Sequence, residues 1–504
     1  MIYTYLLAFA LILVPVVLHA GDSTASLPIF QQPVTTRHTA VIGGKSITYD
    51  ATAGHLTLTK EDGTVRARMF FVAYTKVGSA DPSKRPVTFS FNGGPGSSSV
   101  WLHIGVLGPK RVRMNDDGTT TPPPYSMVAN DESWLDLTDL VFIDPVSTGY
   151  SRAADEKTAG KEFHGYQQDI ESVGAFIHRW VSDHQRWASP KVLIGESYGT
   201  TRAAGLSEHL QSRYGMYLNG VILVSAVLNF QTIRFDEGND LPYALFLPTY
   251  AATALYHGKT GTTLSAEQRS VALRSAVDAV RKFAINDYAT LLMKGDRINA
   301  DERSDAVQQL GFTGLSRDYL DRTNLRVNIH KFCAELLRDQ GLTVGRFDSR
   351  YTGSVANPLS EFMERDPSYQ PTIAGCFSTC INDYLARDLR VSTTLPYEVL
   401  TGRVWPWDFG TAENQYLNVA PALRDAILMN PDLNVWVLNG YYDLATPFFA
   451  TEYTINHLGL PAALRNNISM TYYEAGHMMY LLPTELKRMK DGAVDFYRSA
   501  TGTN

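Results

Sequence analysis

The sequence predicts an α/β fold: a mostly parallel central sheet with helices on both faces, an N-terminal β-meander and an inserted helical cap. Three observations carry this. Residues 38–78 read as short alternating strands separated by Gly- and Asp-containing turns. From residue 87 onward, near-continuous apolar runs alternate with helical stretches, the pattern of strands covered on both faces. Between residue 230 and about 405 the strand signal fades, and apolar residues recur at three- and four-residue spacing.

The elements follow in chain order. MIYTYLLAFALILVPVVLHA, residues 1–20, is an apolar run followed at once by polar GDSTAS, and reads as a signal peptide cleaved after Ala20 or Ala25. The alternative is an uncleaved membrane anchor; Pro15 and the short uncharged core favour cleavage. No later stretch approaches the ~18 apolar residues that span a bilayer. The expectation is an exported chain (secreted, periplasmic or in an organelle lumen) with no integral membrane span once mature. HTAVIGG, SITYDA, HLTLTK and ARMFFVAYTK form the meander. VTFSF (87–91), LVFID (140–144), KVLIG (191–195), GVILVSAVL (220–228), NVWVLNG (434–440) and SMTYYEAG (469–476) supply the main sheet. AEQRSVALRSAVDAVRKFAI exemplifies the helices of the interval between them. The core is therefore expected over 21–229 and 406–504, with 230–405 inserted as the cap.

At 504 residues the chain can form one large domain with an insertion, and 44% hydrophobic against 19% charged residues describes a globular protein. A net charge of −6 without a Lys/Arg-rich run argues against nucleic acid. The three cysteines, Cys333, Cys376 and Cys380, allow one disulfide and one free thiol in an exported protein. Cys333 could pair with either of the others. The C-x3-C spacing has no nearby His, so no zinc site is expected, and no other metal or cofactor is implied.

The chemistry lies in a few short stretches. Gly195-Glu196-Ser197-Tyr198-Gly199 follows a strand and precedes an amphipathic helix, the context a G-x-S-x-G nucleophile turn requires. A serine hydroxyl needs a base to take its proton, and the base needs a carboxylate to orient it. Asp443 and His477 each follow the end of a late strand, in the expected order after the serine. Ser197, Asp443 and His477 are thus the candidate triad. His103 and His457 compete, but neither has the strand–loop placement. In VTFSFNGGPGSSSVW a strand runs into Asn92-Gly93-Gly94-Pro95-Gly96, a loop with almost no side chains. Bare backbone there can bring an N–H to a developing oxyanion. Gly94 and Tyr198 are the candidate oxyanion donors.

The set FNGGPGSSS, GESYG, GYYD and GHM closely resembles the serine carboxypeptidase family, and LVFIDPVSTGYSR is similar to its aspartate–proline–glycine segment. The likeness runs from about residue 85 to 230 and from about 400 to 485. It implies an α/β-hydrolase fold, no cofactor, and removal of single residues from peptide C-termini, often at acidic pH. It also implies that Asn92 and Glu196 help hold the substrate's terminal carboxylate, with Gly93 and Met478 beside them at the substrate. An amide can donate to a carboxylate, whereas a Glu does so only when protonated.

Three positions depart from the family pattern. Ser90 stands where Trp is common, Ser97 replaces a disulfide-forming Cys, and Val106 replaces a Glu of the carboxylate grip. The leading expectation is a serine-type carboxypeptidase acting through an acyl-enzyme on a peptide substrate. An esterase or acyltransferase on the same fold is the alternative, and a non-catalytic binding protein is the reading from another class. Side-chain preference and oligomeric state stay open.

Overall fold

A computed structural model describes residues 32–261, 264–410 and 415–502; the expected signal peptide lies outside them. Three antiparallel strands come first: β1 (Val34–Ile42), β2 (Lys45–Thr59) and β3 (Val65–Lys76). The meander therefore has three strands where the sequence reading expected four, because SITYDA and HLTLTK are one strand. Ala53 pairs with Val34 on one side and Gly54 with Phe71 on the other, so the ladder leaves no room for a turn. Gly54 serves instead as a close-approach site, since a Cβ there would sit 2.5 Å from the Pro33 Cα.

The sheet continues through β4 (Val87–Phe91), β5 (Asp139–Ile143), β6 (Lys191–Glu196), β7 (Gly220–Val224), β8 (Asn434–Gly440) and β9 (Ile468–Tyr473). Arg152–Ala153 adds a short pairing with β3, giving a ten-stranded sheet whose main path runs β1-β2-β3-β5-β4-β6-β7-β8-β9. From β5 to β9 every pairing is parallel. GVILVSAVL ends as a strand at Val224, because Ser225 takes φ 52° and turns the chain away.

Alternate residues on these strands feed two apolar layers. One holds α1 (Tyr166–Asp183), α2 (Tyr198–Tyr214) and a helix at Ala420–Met429. The other holds residues 100–107, a helix at Gly375–Arg387 and the C-terminal helix Pro483–Thr501. Both faces are covered, which is why the central strands carry apolar residues at nearly every position.

β7 pairs directly with β8, so everything between residues 225 and 433 is interposed between neighbouring strands. Residues 244–344 build an apolar cluster of their own, which closes onto Tyr441, Leu444 and Phe448. The Ala266–Phe283 helix begins with a capping box, Ser265 with Gln268. The interval also holds a short antiparallel pair, Leu342–Val344 with Thr352–Ser354, where only helices were expected. Helix Gly375–Arg387 lies against the main sheet, where the Tyr74 hydroxyl donates to the Tyr384 hydroxyl at 3.0 Å. Cys333, Cys376 and Cys380 are all buried free thiols, so the one disulfide that three cysteines allowed does not form.

Candidate active site

The chemistry-bearing residues gather at the C-terminal ends of the parallel strands. Ser197 sits between β6 and α2 with φ 59° and ψ −129°, a left-handed strain that a non-glycine residue adopts only under constraint. The constraint is visible in its flanking glycines. A Cβ on Gly195 would meet the Gly199 carbonyl at 2.1 Å, and one on Gly199 would meet the Phe91 carbonyl at 2.9 Å. The Ser197 N–H donates to the Val224 carbonyl at 3.0 Å, tying the turn to β7.

The glycine loop after β4 packs against this turn. A Cβ on Gly93 would lie 2.5 Å from the Tyr198 amide nitrogen, so only glycine allows the approach. Gly94 has φ +103° and lines the cavity over Ser197. Tyr198 opens α2, where first-turn N–H groups have no intrahelical acceptor. Asp144, just past β5, anchors the far end of the loop by accepting from Ser99 N at 2.9 Å and Ser99 Oγ at 2.8 Å.

Asp443 is fully buried in the turn after β8. Its Oδ1 accepts from the N–H groups of Ala445 (2.8 Å) and Thr446 (3.0 Å). Its Oδ2 accepts from the Thr446 hydroxyl at 2.8 Å and lies 2.7 Å from His477 Nδ1. Burial works against charge on His477. The Asp443 carboxylate, by its field and its hydrogen bond, and nearby Glu196 outweigh that, so the imidazole pKa stands above its ordinary value; Arg346 pulls the other way. The competing histidines are otherwise engaged. His103 is buried against Phe142 and Tyr74, with its pKa driven to about 3 by burial, and His457 packs on Tyr453.

Ser197, His477, Glu196, Gly93, Gly94 and Met478 line one cavity of about 400 Å³. Glu196 is buried, and burial lifts its carboxyl to about 7 against the opposing pulls of His477, Tyr480 and Asn92. Tyr480 donates to Glu196 Oε2 at 2.6 Å, and Asn92 Nδ2 donates to Oε1 at 3.2 Å. Asn92 is fully buried behind this carboxyl, and its own Oδ1 accepts from Leu102 N at 3.1 Å. Arg202 Nη1 holds the Asn92 carbonyl at 2.6 Å and is itself paired with Asp169 at 2.8 Å. Val106 lies in the apolar core.

Comparison with known proteins bears on the whole assembly. The sequence profile of the serine carboxypeptidase family matches residues 43–482. The chain belongs to the serine carboxypeptidase family. It is 22% identical over 432 residues to serine carboxypeptidase-like 36 of Arabidopsis thaliana, covering 82% of this chain and 72% of that protein. A shorter match, 30% identical over 156 residues, joins it to the pheromone-processing carboxypeptidase KEX1 of Saccharomyces cerevisiae, covering 29% of this chain and 20% of that one. The crystal structure of that yeast prohormone-processing carboxypeptidase aligns over 89% of this chain and 91% of its own, with TM-score 0.51 and 17% identity, a likeness of fold. The expected α/β-hydrolase fold is thus the observed one. This family member is a serine hydrolase, and serine carboxypeptidase action on a peptide is the function that membership supports.

Several residues of this carboxypeptidase-family site escaped the sequence reading. Thr446 lies three residues after Asp443, and Tyr480 three after His477; both sit in runs indistinguishable from core sequence. Arg346, Phe347, Tyr369 and Ile373 enter the cavity from the inserted interval, and Leu400 and Trp405 stand half-exposed at its mouth. No local pattern marks them. Among the described residues, no helix is long and apolar enough to cross a membrane.

Proposed function

We propose that Ser197, His477 and Asp443 are the catalytic triad of a carboxypeptidase that releases C-terminal residues through an acyl-enzyme. The observation that carries this is the strained Ser197 and His477 lining one cavity, with Asp443 buried 2.7 Å behind the imidazole. Ser197 Oγ attacks the scissile carbonyl while His477 Nε2 takes its proton. The oxyanion accepts from the N–H groups of Gly94 and Tyr198. His477 then gives the proton to the leaving amine, the C–N bond breaks, and the acyl-enzyme remains. Water, deprotonated by His477, releases the acid and regenerates Ser197.

Glu196 faces the substrate and, below about pH 7, carries a proton it can donate to a carboxylate. Asn92 acts through Glu196 by orienting it, while Gly93 and Met478 shape the floor. The interval 230–405 is the cap that walls the cavity, with helix Gly375–Arg387 anchoring it to the sheet. Residues 1–20 are the signal peptide of an exported protein, a reading supported by their apolar run; N-terminal sequencing of the exported chain checks it.

The test uses peptides with free or amidated C-termini, read by mass spectrometry, with Ser197→Ala as control. Stepwise loss of terminal residues from free-acid peptides alone is expected. The apolar burial of Val106, where the family pattern has a grip carboxyl, favours one rival, an esterase or acyltransferase. Rapid ester turnover with no peptide trimming would establish that rival instead.

A further inference from the structure

The backbone of Arg346 is clamped between the loops that carry the proposed triad. Its carbonyl accepts from Leu444 N at 3.0 Å, one residue past Asp443, and the carbonyl of the next residue, Phe347, accepts from His477 N at 2.7 Å. Its own N–H donates to Asp366 Oδ1 at 3.2 Å. The position of this side chain is therefore set by the same two strand ends that set the proposed acid and base. The guanidinium carbon lies 5.3 Å from the centroid of the Phe347 ring, and the side chain lines the cavity with Ser197 and His477.

What the guanidinium lacks is a counter-ion. Among the described residues no carboxylate lies within ion-pair distance of it, and its side-chain nitrogens make no hydrogen bond. Arginines that are buried, unlike this half-buried one, are satisfied: Arg186 pairs with Asp139 at 2.7 Å, Arg202 pairs with Asp169 at 2.8 Å, and Arg152 donates to the carbonyls of Gly149, Ser151 and Pro396. Arg350, half-buried as well, pairs with Asp348 at 2.5 Å. A half-buried guanidinium that lines the cavity with its hydrogen-bond donors uncommitted is free to take a counter-charge from a ligand.

We propose that Arg346 binds the α-carboxylate of the residue being released, in place of the carboxyl missing at Val106. This rests on the triad reading above, and chemistry selects which carboxylate. His477 must protonate the leaving nitrogen, so the departing residue lies on the His477 side of the cavity. Its α-carboxylate is separated from that nitrogen by a single carbon. Arg346, bonded through its own segment to the His477 loop, stands on that side, and a planar guanidinium matches a carboxylate through two parallel N–H donors. The acyl-side residue, by contrast, extends from the oxyanion loop toward the mouth.

Binding can be measured without turnover. In a Ser197→Ala background, N-benzoyl-Phe-Leu and its C-terminal amide are titrated by calorimetry. The free acid is expected to bind at least about tenfold tighter than the amide. Arg346→Met should shrink that ratio about tenfold or more, the range for a charged hydrogen-bond pair, with Arg346→Lys restoring part of it. An unchanged acid-to-amide ratio in Arg346→Met overturns the assignment. So does a preference that follows an acidic side chain on an amidated peptide. Organophosphonate labelling of the parent chain keeps the two readings apart. Unlabelled Ser197 with the expected ratio removes the triad and leaves the carboxylate site, while the reverse pattern removes only the site.

Discussion

The cavity over Ser197 has one wall grown from strand ends and one hung from the inserted interval, and the two are held differently. Glu196, Ser197, Gly93 and His477 lie within a few residues of parallel strands, and backbone bonds such as Ser197 N to Val224 O hold that wall in place. Arg346 and Phe347 come just after a segment with its own apolar cluster, whereas Tyr369 and Ile373 lead into helix Gly375–Arg387 and pack into the layer against the main sheet. The first wall presents the groups proposed to react. The second presents a cation and aromatic faces that can only select. Reaction geometry needs sub-ångström placement, which regular elements provide, whereas selection tolerates change in the inserted loops and helix ends.

The largest effects belong to the strand-end wall and leave folding untouched. Ser197→Ala should lower kcat by about 10^6-fold with an unchanged melting temperature. Removing the Oγ also abolishes organophosphonate labelling, which gives a second readout. Residual trimming within tenfold of the parent would break the comparison at its root. Asp443→Asn comes next, at about 10^4-fold in kcat. The Asn oxygen can keep the bonds from Ala445 N and Thr446 N, which leaves its NH2 facing His477 Nδ1. Two donors cannot share that bond, so the imidazole takes the wrong tautomer. Steady-state rates with a circular-dichroism control separate this from misfolding.

How much of this was legible in the sequence divides along the same line. Strands β4 to β9 are readable because burial on both faces demands apolar runs, and the Ser197 turn because only glycine tolerates a carbonyl 2.1 Å from where a Cβ would be. Asp443 and His477 are readable from order and position past strand ends. The other wall is not, because nothing local distinguishes Arg346 from a surface arginine; its place comes from Leu444 and His477, some hundred residues away. Tyr480 is hidden for a related reason, since a tyrosine beside Met478 and Met479 looks like core until Glu196 is seen to accept from it. The break expected inside β2 fails because local turn residues yield to ladders on both sides.

The inserted wall should respond to substitution by changing preference more than rate. Trp405 is 52% exposed and lines the cavity as Leu400 does, so its indole has open space for an apolar acyl-side residue. Trp405→Ala should raise KM for peptides with an aromatic residue there by about tenfold, with kcat within a factor of two or three. KM series over small and aromatic residues measure it. A matched fall in kcat for all substrates would mean the mouth helps to place the reacting atoms, and the two walls would no longer be separable.

The smallest effect concerns Glu196, the carboxyl of the strand-end wall that burial brings near neutrality. Burial raises Glu196 from 4.5 to about 7, so between those values the folded chain holds a proton that the unfolded chain has released. Stability from this group is complete below about pH 4.5 and is lost as pH rises through about 7, by about 3 kcal/mol at most. His477, also raised, contributes with the same sign. The melting temperature of the parent chain should therefore fall by a few degrees between pH 5 and pH 8. In Glu196→Gln the single oxygen can accept from Asn92 while the NH2 faces the Tyr480 hydroxyl, which can accept, and there is no proton to lose, so its curve should be flatter and cross the parent's on the alkaline side. Parallel curves for the two chains would show that Glu196 is ionised throughout that range. The strand-end wall would then carry a fixed negative charge opposite Arg346, and carboxylate selection would fall to the inserted wall alone.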